Sequence, residues 1–355
     1  MTALPLAAPL DAGLCPQRSQ RLLDVLNREI QSQRLPGAVA LVARRGQIAL
    51  FESLGQQDPG RAIPMARDSI FRIYSMTKPL VSVAAMMLVE QGKLLLSDPV
   101  SQYLPEFSQQ KVAVMRNGEE MLTDAVRPAT VQDLLRHTAG LTYEFLGESM
   151  VQRQYTQEHI SSRQRSNAAF SEKLAAIPLM FQPGEKWEYS RATDVLGRLV
   201  EVVSGETLGV HLQRHILGPL GMVDTGFVVP PEQQHRIAEP FAHDPDGGVP
   251  MPVLEPRTTP AFESGGGGLM STAMDYARFL QFMLNKGELD GVRLLGPRTV
   301  AYMTADHLGD IPANGDLLPP GHGFGLGFAV RTASGVSSVP TGWLPCAHGR
   351  RLNPQ

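Results

Sequence analysis

The spacing of apolar residues predicts most of the elements of this chain. Leu22, Leu23, Leu26 and Ile30 recur at helical spacing, which predicts a helix over residues 17–33, stopped by Pro36-Gly37. The continuous apolar run 38–43 reads as a buried strand, 44–47 as a turn and 48–51 as its returning partner, together a hairpin. A second strand-like run covers 69–74, and a long apolar helix follows over 79–90. Beyond it the middle of the chain is helical and loop-rich. Thr130 caps a short helix that ends before Gly140, and further helices cover 171–177 and 194–203. Residues 264–269 form a glycine-rich turn into a helix over 271–286, and 324–330 reads as a strand. The chain shows no internal repeat.

Strands near both ends with helices between predict an α/β fold of the α+β type. An antiparallel sheet would be built from N- and C-terminal segments and flanked by helices, with an inserted, mainly helical region. The expected organisation is one domain over 17–340, with 17–78 and 260–340 as its α/β part and 79–259 as its mainly helical part. Residues 1–16 form an N-terminal arm and 341–355 an aberrant tail.

Composition narrows the function classes. The chain has 355 residues, 43% of them hydrophobic, which suits a packed globular protein. Its net charge is −3 and its basic residues are scattered, so no nucleic-acid partner is expected. The longest apolar stretch is too short to span a bilayer, and residues 1–10 lack a basic leader region. A cytoplasmic protein with no membrane partner is the expectation. Cys15 and Cys346 lie near opposite ends and form no disulfide framework.

The most informative chemistry lies at Ser75-Met76-Thr77-Lys78, where the apolar helix begins. A serine hydroxyl needs a base beside it to act as a nucleophile at neutral pH. Residues three apart on a helix share a face, so Lys78 stands one turn above Ser75. The helix N-terminus disfavours positive charge and would push Lys78 toward the neutral amine that a base requires. The chain has six lysines, and Lys111 also has a serine, Ser108, three residues before it. That second pair sits in a polar stretch and reads as surface. On local sequence alone, a serine cap beside an incidental lysine explains Ser75 equally well.

Other constellations carry less. Tyr189 follows a Pro183-Gly184 turn, and its phenol could relay a proton beside a serine, although a tyrosine anchoring a loop is the simpler reading. His211 and His215 stand at i and i+4, a spacing that can bind zinc, but Leu212 replaces the glutamate of the metalloprotease motif. No metal site and no cofactor is expected. His137 reads as a packed residue at a helix end. The glycines 265–268 lack the ending of a phosphate loop, and the chain has no Gly-x-Ser-x-Gly elbow.

Taken in order, six segments resemble the serine β-lactamase / penicillin-binding-protein-like hydrolases, closest to class C β-lactamases and family VIII carboxylesterases. The segments are Ser75-Met76-Thr77-Lys78, Leu134 to Leu141, Pro183-Gly184 with Tyr189-Ser190-Arg191, Pro219 to Thr225, Gly265 to Thr272 and Gly323 to Phe328. The resemblance covers roughly Leu22 to Val330. It implies an acyl-enzyme mechanism with Ser75 as nucleophile and with Lys78 and Tyr189 as the base system. The Ser75 backbone N–H would be an oxyanion donor, and Arg191, Gly266 and Gly267 would contact substrate. The family's second motif reads Tyr-x-Asn, but Arg191 stands at its third position. That change points away from β-lactams and toward short-chain esters.

The third motif, on the strand beside the serine, has no clear counterpart. The tail after Pro340 does not read as a strand, and Trp343 and His348 read as chance matches rather than as distorted remnants of the motif. The expectation is a chain lacking the C-terminal strands, one oxyanion donor and the closing helix. The readings that follow are a carboxylesterase on small esters, a β-lactamase or D-amino-acid peptidase using the same site, or an impaired binding protein or unstable fragment. The substrate would be a small-molecule ester or amide.

Overall fold

The structure is a computed structural model that describes residues 4–251, 253–313 and 317–333. Helices alternate with short antiparallel strand pairs, and the chain divides into two compact units. The first comprises Met1–Ile73, Leu217–Thr259 and Leu269–Arg293. The second comprises Tyr74–Ile216, Pro260–Gly268 and Leu294–Gln355. Residues 79–259, expected as one helical part, are thus shared between the two units at Leu217.

In the first unit the predicted helix spans Pro16–Gln31, and Pro16 suits its first turn because its missing N–H would have no partner there. The predicted hairpin pairs Gly37–Arg44 with Gln47–Asp58, from Gly37↔Gly55 to Arg44↔Gln47, with a register shift between Val42 and Ala43. Arg45 and Gly46 take φ +55° and +75°, as a two-residue turn of the primed kind requires. The returning strand is longer than the predicted 48–51, and Ile63–Pro64 adds a third strand to it. Its partner, Gly37–Arg44, is half-buried rather than buried. Only Phe71–Arg72 of the run 69–74 is strand, paired with Met270–Ser271. Ile70, Val229, Ile237 and Met270 form the apolar cluster around that pair.

In the second unit the helix Thr77–Glu90 is almost wholly buried, and it packs on the helix Ala192–Ser204. Two apolar faces explain why the sequence reads as a run without a polar stripe. The hairpin Lys111–Arg116 / Glu119–Asp124 was not predicted. Its turn, Asn117-Gly118, takes φ +52° and +83°, and an Asn-Gly pair is a strong hairpin signal. The stretch predicted as a strand over 324–330 instead folds back on itself. His322–Phe324 pairs with Ala329–Arg331, and Gly327 turns at φ +91°. The three-stranded sheet is entirely N-terminal among the described residues. The expected tail, the missing strands and the remnants at Trp343 and His348 lie outside the described residues.

The predicted short helix, Val131–Leu135, has Thr130 and Asp133 as a reciprocal capping box. Asp133 is fully buried and accepts from Arg127, Arg136, Thr138 and Thr130. Burial alone would raise its carboxyl, but the bonds from Arg127, Thr130 and Thr138 outweigh that and lower it to about 2. A lowered carboxyl stabilises the fold above its unfolded value near 4, and that contribution disappears as pH falls through about 2. The expected gain at neutral pH is about 2 kcal/mol. Asp133→Asn is therefore expected to lower the melting temperature at pH 7. Thermal melts of both proteins at pH 5 and pH 2.5 should show the gap narrowing with acid. A gap that does not change with pH would contradict this account.

Candidate active site

Residues Tyr74–Met76 form a tight 3-10 turn that runs into the helix Thr77–Glu90. Tyr74 has φ +40°, a left-handed conformation that non-glycine residues rarely adopt and that costs on the order of 1 kcal/mol. The surrounding structure must hold it. A Cβ on Gly267 would lie 3.5 Å from the Tyr74 carbonyl carbon, so the glycine turn lies against this backbone. The result is a half-exposed Ser75 with Lys78 buried one turn further on.

Lys78 is only 3% exposed. Its Nζ lies 3.3 Å from Ser75 Oγ, 3.1 Å from Tyr143 Oη and 2.7 Å from the Gly266 carbonyl. An ammonium has three N–H donors, and three acceptors stand around it. The Nζ also lies 4.4 Å from the ring centre of Tyr189. Burial works against the ammonium, but Tyr143, Tyr189 and Asp194 outweigh it and hold the lysine above its ordinary value. This corrects the expectation from the helix N-terminus. In the resting site Lys78 is a cation.

Each partner is itself fixed. Burial pushes the Tyr143 phenol up, against the pull of Lys78. Asp194 Oδ1 accepts from Ser264 Oγ at 2.5 Å and from the Gly266 N–H at 2.9 Å. The carbonyl of the same glycine, in the next peptide unit, accepts from Lys78. A Cβ on Gly266 would lie 2.7 Å from Asp194 Oδ2, so only glycine fits there. His137 is buried, with φ +60°, and its Nδ1 lies 3.1 Å from Ser190 Oγ. Its ring stands 4.8 Å from that of Tyr189, and its carbonyl accepts from the Glu188 N–H. Burial, then Lys78, lowers its pKa well below normal and keeps it neutral, so it packs as expected.

The structure brings Ser75, Lys78, Tyr189 and Gly266 together, with Gly267 beside Tyr74. Both polar groups of Gly266 are committed to protein partners. Arg191 is committed as well: it donates from Nη2 to Glu144 Oε1 at 2.6 Å and from Nε to Oε2 at 3.2 Å. Its guanidinium carbon lies 5.0 Å from the Tyr143 ring centre. Substrate contact was expected of Arg191 and Gly266, whereas their bonds serve the site's framework. Ser108 is exposed, and Lys111 pairs with Asp124 at 2.5 Å, as the surface reading required. Sequence reasoning missed Tyr143, Glu144 and Asp194. Tyr143 follows the segment His137 to Thr142 and meets Lys78 across 65 positions, with no local pattern to announce it.

A family model described as Beta-lactamase matches residues 20–345. Protein Rv1367c of Mycobacterium tuberculosis (strain ATCC 25618 / H37Rv) is 39% identical over 308 residues, covering 84% of this chain and 75% of that protein. Esterase EstB of Burkholderia gladioli is 34% identical over 361 residues, covering 95% of this chain and 85% of that protein. Among solved structures, EstCE1, a hydrolase with promiscuous acyltransferase activity, superposes with a TM-score of 0.73 at 28% identity, covering 91% of this chain and 85% of that one. The shared fold, its α/β character and the extent of these matches lead to one conclusion: the chain belongs to the beta-lactamase family and is a serine hydrolase of that fold.

Proposed function

We propose that this hydrolase is a carboxylesterase acting on short-chain esters through an acyl-enzyme on Ser75. The observation that carries the reading is Ser75 Oγ within 3.3 Å of a buried Lys78 that also meets Tyr143. Ser75 Oγ attacks the ester carbonyl. Its proton enters the Lys78–tyrosine cluster and leaves on the departing alcohol; water then repeats the sequence and frees the acid. Because Lys78 rests as a cation, the cluster accepts the serine proton only after giving up one of its own, from Nζ or from a phenol, and the group that lost it is the base that later returns the proton to the alcohol. The Ser75 N–H, at the start of the helix, suits a developing oxyanion.

Arg191, locked to Glu144, stands where lactamases hold a substrate amide, which favours esters over β-lactams. The similarity to EstB and EstCE1 supports the same reading.

Four outcomes follow. A fluorophosphonate probe should add its mass to the protein, and Ser75→Ala should abolish the labelling; labelling that persists in the variant would remove Ser75 from its role. p-Nitrophenyl butyrate should be hydrolysed with a far higher kcat/KM than nitrocefin, and comparable values would sink the ester reading. Lys78→Arg and Tyr189→Phe should each lower kcat roughly 10²-fold or more, the size of a general-base effect. Tyr143→Phe removes an interaction that raises the Lys78 pKa, so its pH–rate profile should move to lower pH. A profile that stays in place in Tyr143→Phe would separate Tyr143 from the proton path.

A further inference from the structure

A second cluster lies outside the site built on Ser75. The helix Leu208–Leu212 carries His211, and a π-helical turn, Gln213–Leu217, carries His215. Their spacing alone lacked an acidic third donor. The fold supplies one from the preceding turn. Glu206 Oε2 lies 3.1 Å from His211 Nδ1 and 3.3 Å from His215 Nε2. One ligating atom from each residue lies within 4.8 Å of the other two.

We propose that Glu206, His211 and His215 form a binding site for a divalent transition metal of the zinc type. A tetrahedral zinc ion, with bonds of about 2.0–2.2 Å to nitrogen and oxygen, sets neighbouring donors about 3.3 Å apart. Both carboxylate-to-imidazole separations match that edge. As hydrogen bonds they require two imidazoles to present N–H groups to one oxygen. With a metal, the same three atoms use their lone pairs instead. The donor set of two imidazoles and a carboxylate suits zinc, cobalt and nickel.

The surroundings tune the site. His211 is buried, with a side chain 5% exposed, whereas His215 is 38% exposed and leaves a side open for a fourth, external ligand. Arg214 pairs with the other oxygen, Glu206 Oε1, and leaves Oε2 to the histidines. Its charge opposes a cation. His211 Nε2 has no hydrogen-bond partner among the described residues, so it lacks the outer support that strengthens metal-bound histidines. Micromolar rather than nanomolar affinity is the expectation.

The test uses the full chain, stripped with EDTA and dialysed. Zinc is titrated in competition with a chromophoric chelator, and cobalt is followed by visible absorption. One equivalent of metal should bind with micromolar affinity, and cobalt should show the strong bands of four-coordination. His215→Ala and Glu206→Gln should each weaken binding at least about tenfold. His243→Ala, an exposed histidine elsewhere, should leave it unchanged. Circular dichroism establishes that each variant is folded. Affinity no better than millimolar, or undiminished binding in His215→Ala, would overturn the proposal.

Discussion

The buried charge of Lys78 is the constraint on which the site depends. Moving an ammonium out of water costs several kcal/mol unless its donors are matched. Here they are matched by oxygens from three segments: Ser75 on the 3-10 turn, Tyr143 on the loop before residue 150, and Gly266 on the glycine turn. Two of these stand 65 and 188 positions away from the lysine. Displacing any one segment leaves a buried cation short of a partner. The charge that prepares the chemistry therefore also holds its parts in place. It limits the chemistry too. A cation donates to Ser75 Oγ and has no lone pair with which to accept a proton from it.

A second layer of charge explains why the first holds its geometry. Asp194 takes both the Ser264 hydroxyl and the Gly266 N–H, which anchors the glycine turn whose Gly266 carbonyl meets Lys78. Its carboxylate also lies 3.7 Å from Arg191 Nη1. Glu144 follows Tyr143 directly. Left unpaired it would add a negative charge beside the phenol and the lysine. Arg191 neutralises it with two bonds and stacks on Tyr143. Arginine suits that place because its planar fork matches a carboxylate and its face matches an aromatic ring. Arg191 and Glu144 are thus best understood as a pair, and replacing either alone leaves a mostly buried charge without its partner.

What was legible in the sequence depended on range. Ser75 and Lys78 are three apart at one helix start, so local spacing placed them side by side, while only the further segments decided against a serine cap with an incidental lysine. The Thr130–Asp133 capping box and the hairpin turned at Arg45-Gly46 are equally local. Asn117-Gly118 was legible in principle, because the turn carries its own chemistry and 112–115 is an apolar run, but its partner 119–124 is mostly polar and exposed and does not stand out as a strand. Residues 324–330 misled for a related reason. Their apolar alternation fits a strand, while Gly325 and Gly327 permit the fold back that the structure adopts. The Lys78 charge state was misjudged because only the helix end was in view. The phenols and the carboxylate that outweigh it arrive from distant segments.

The histidines make the same point from the other direction. His137 sits in a recognisable segment beside the reacting groups, yet burial against Tyr189, Trp187 and Phe324 leaves it neutral and packed. His211 and His215 sit in a segment with no motif. Their environment differs in kind, because a carboxylate oxygen faces both rings. Spacing on a helix says only that two imidazoles can meet. Whether they pack, titrate or ligate depends on what the fold places opposite them. An apolar wall silences His137 as a base. A shared anion gives His211 and His215 a charge to compete for, and Arg214, already on that anion, sets how strongly any other cation can compete.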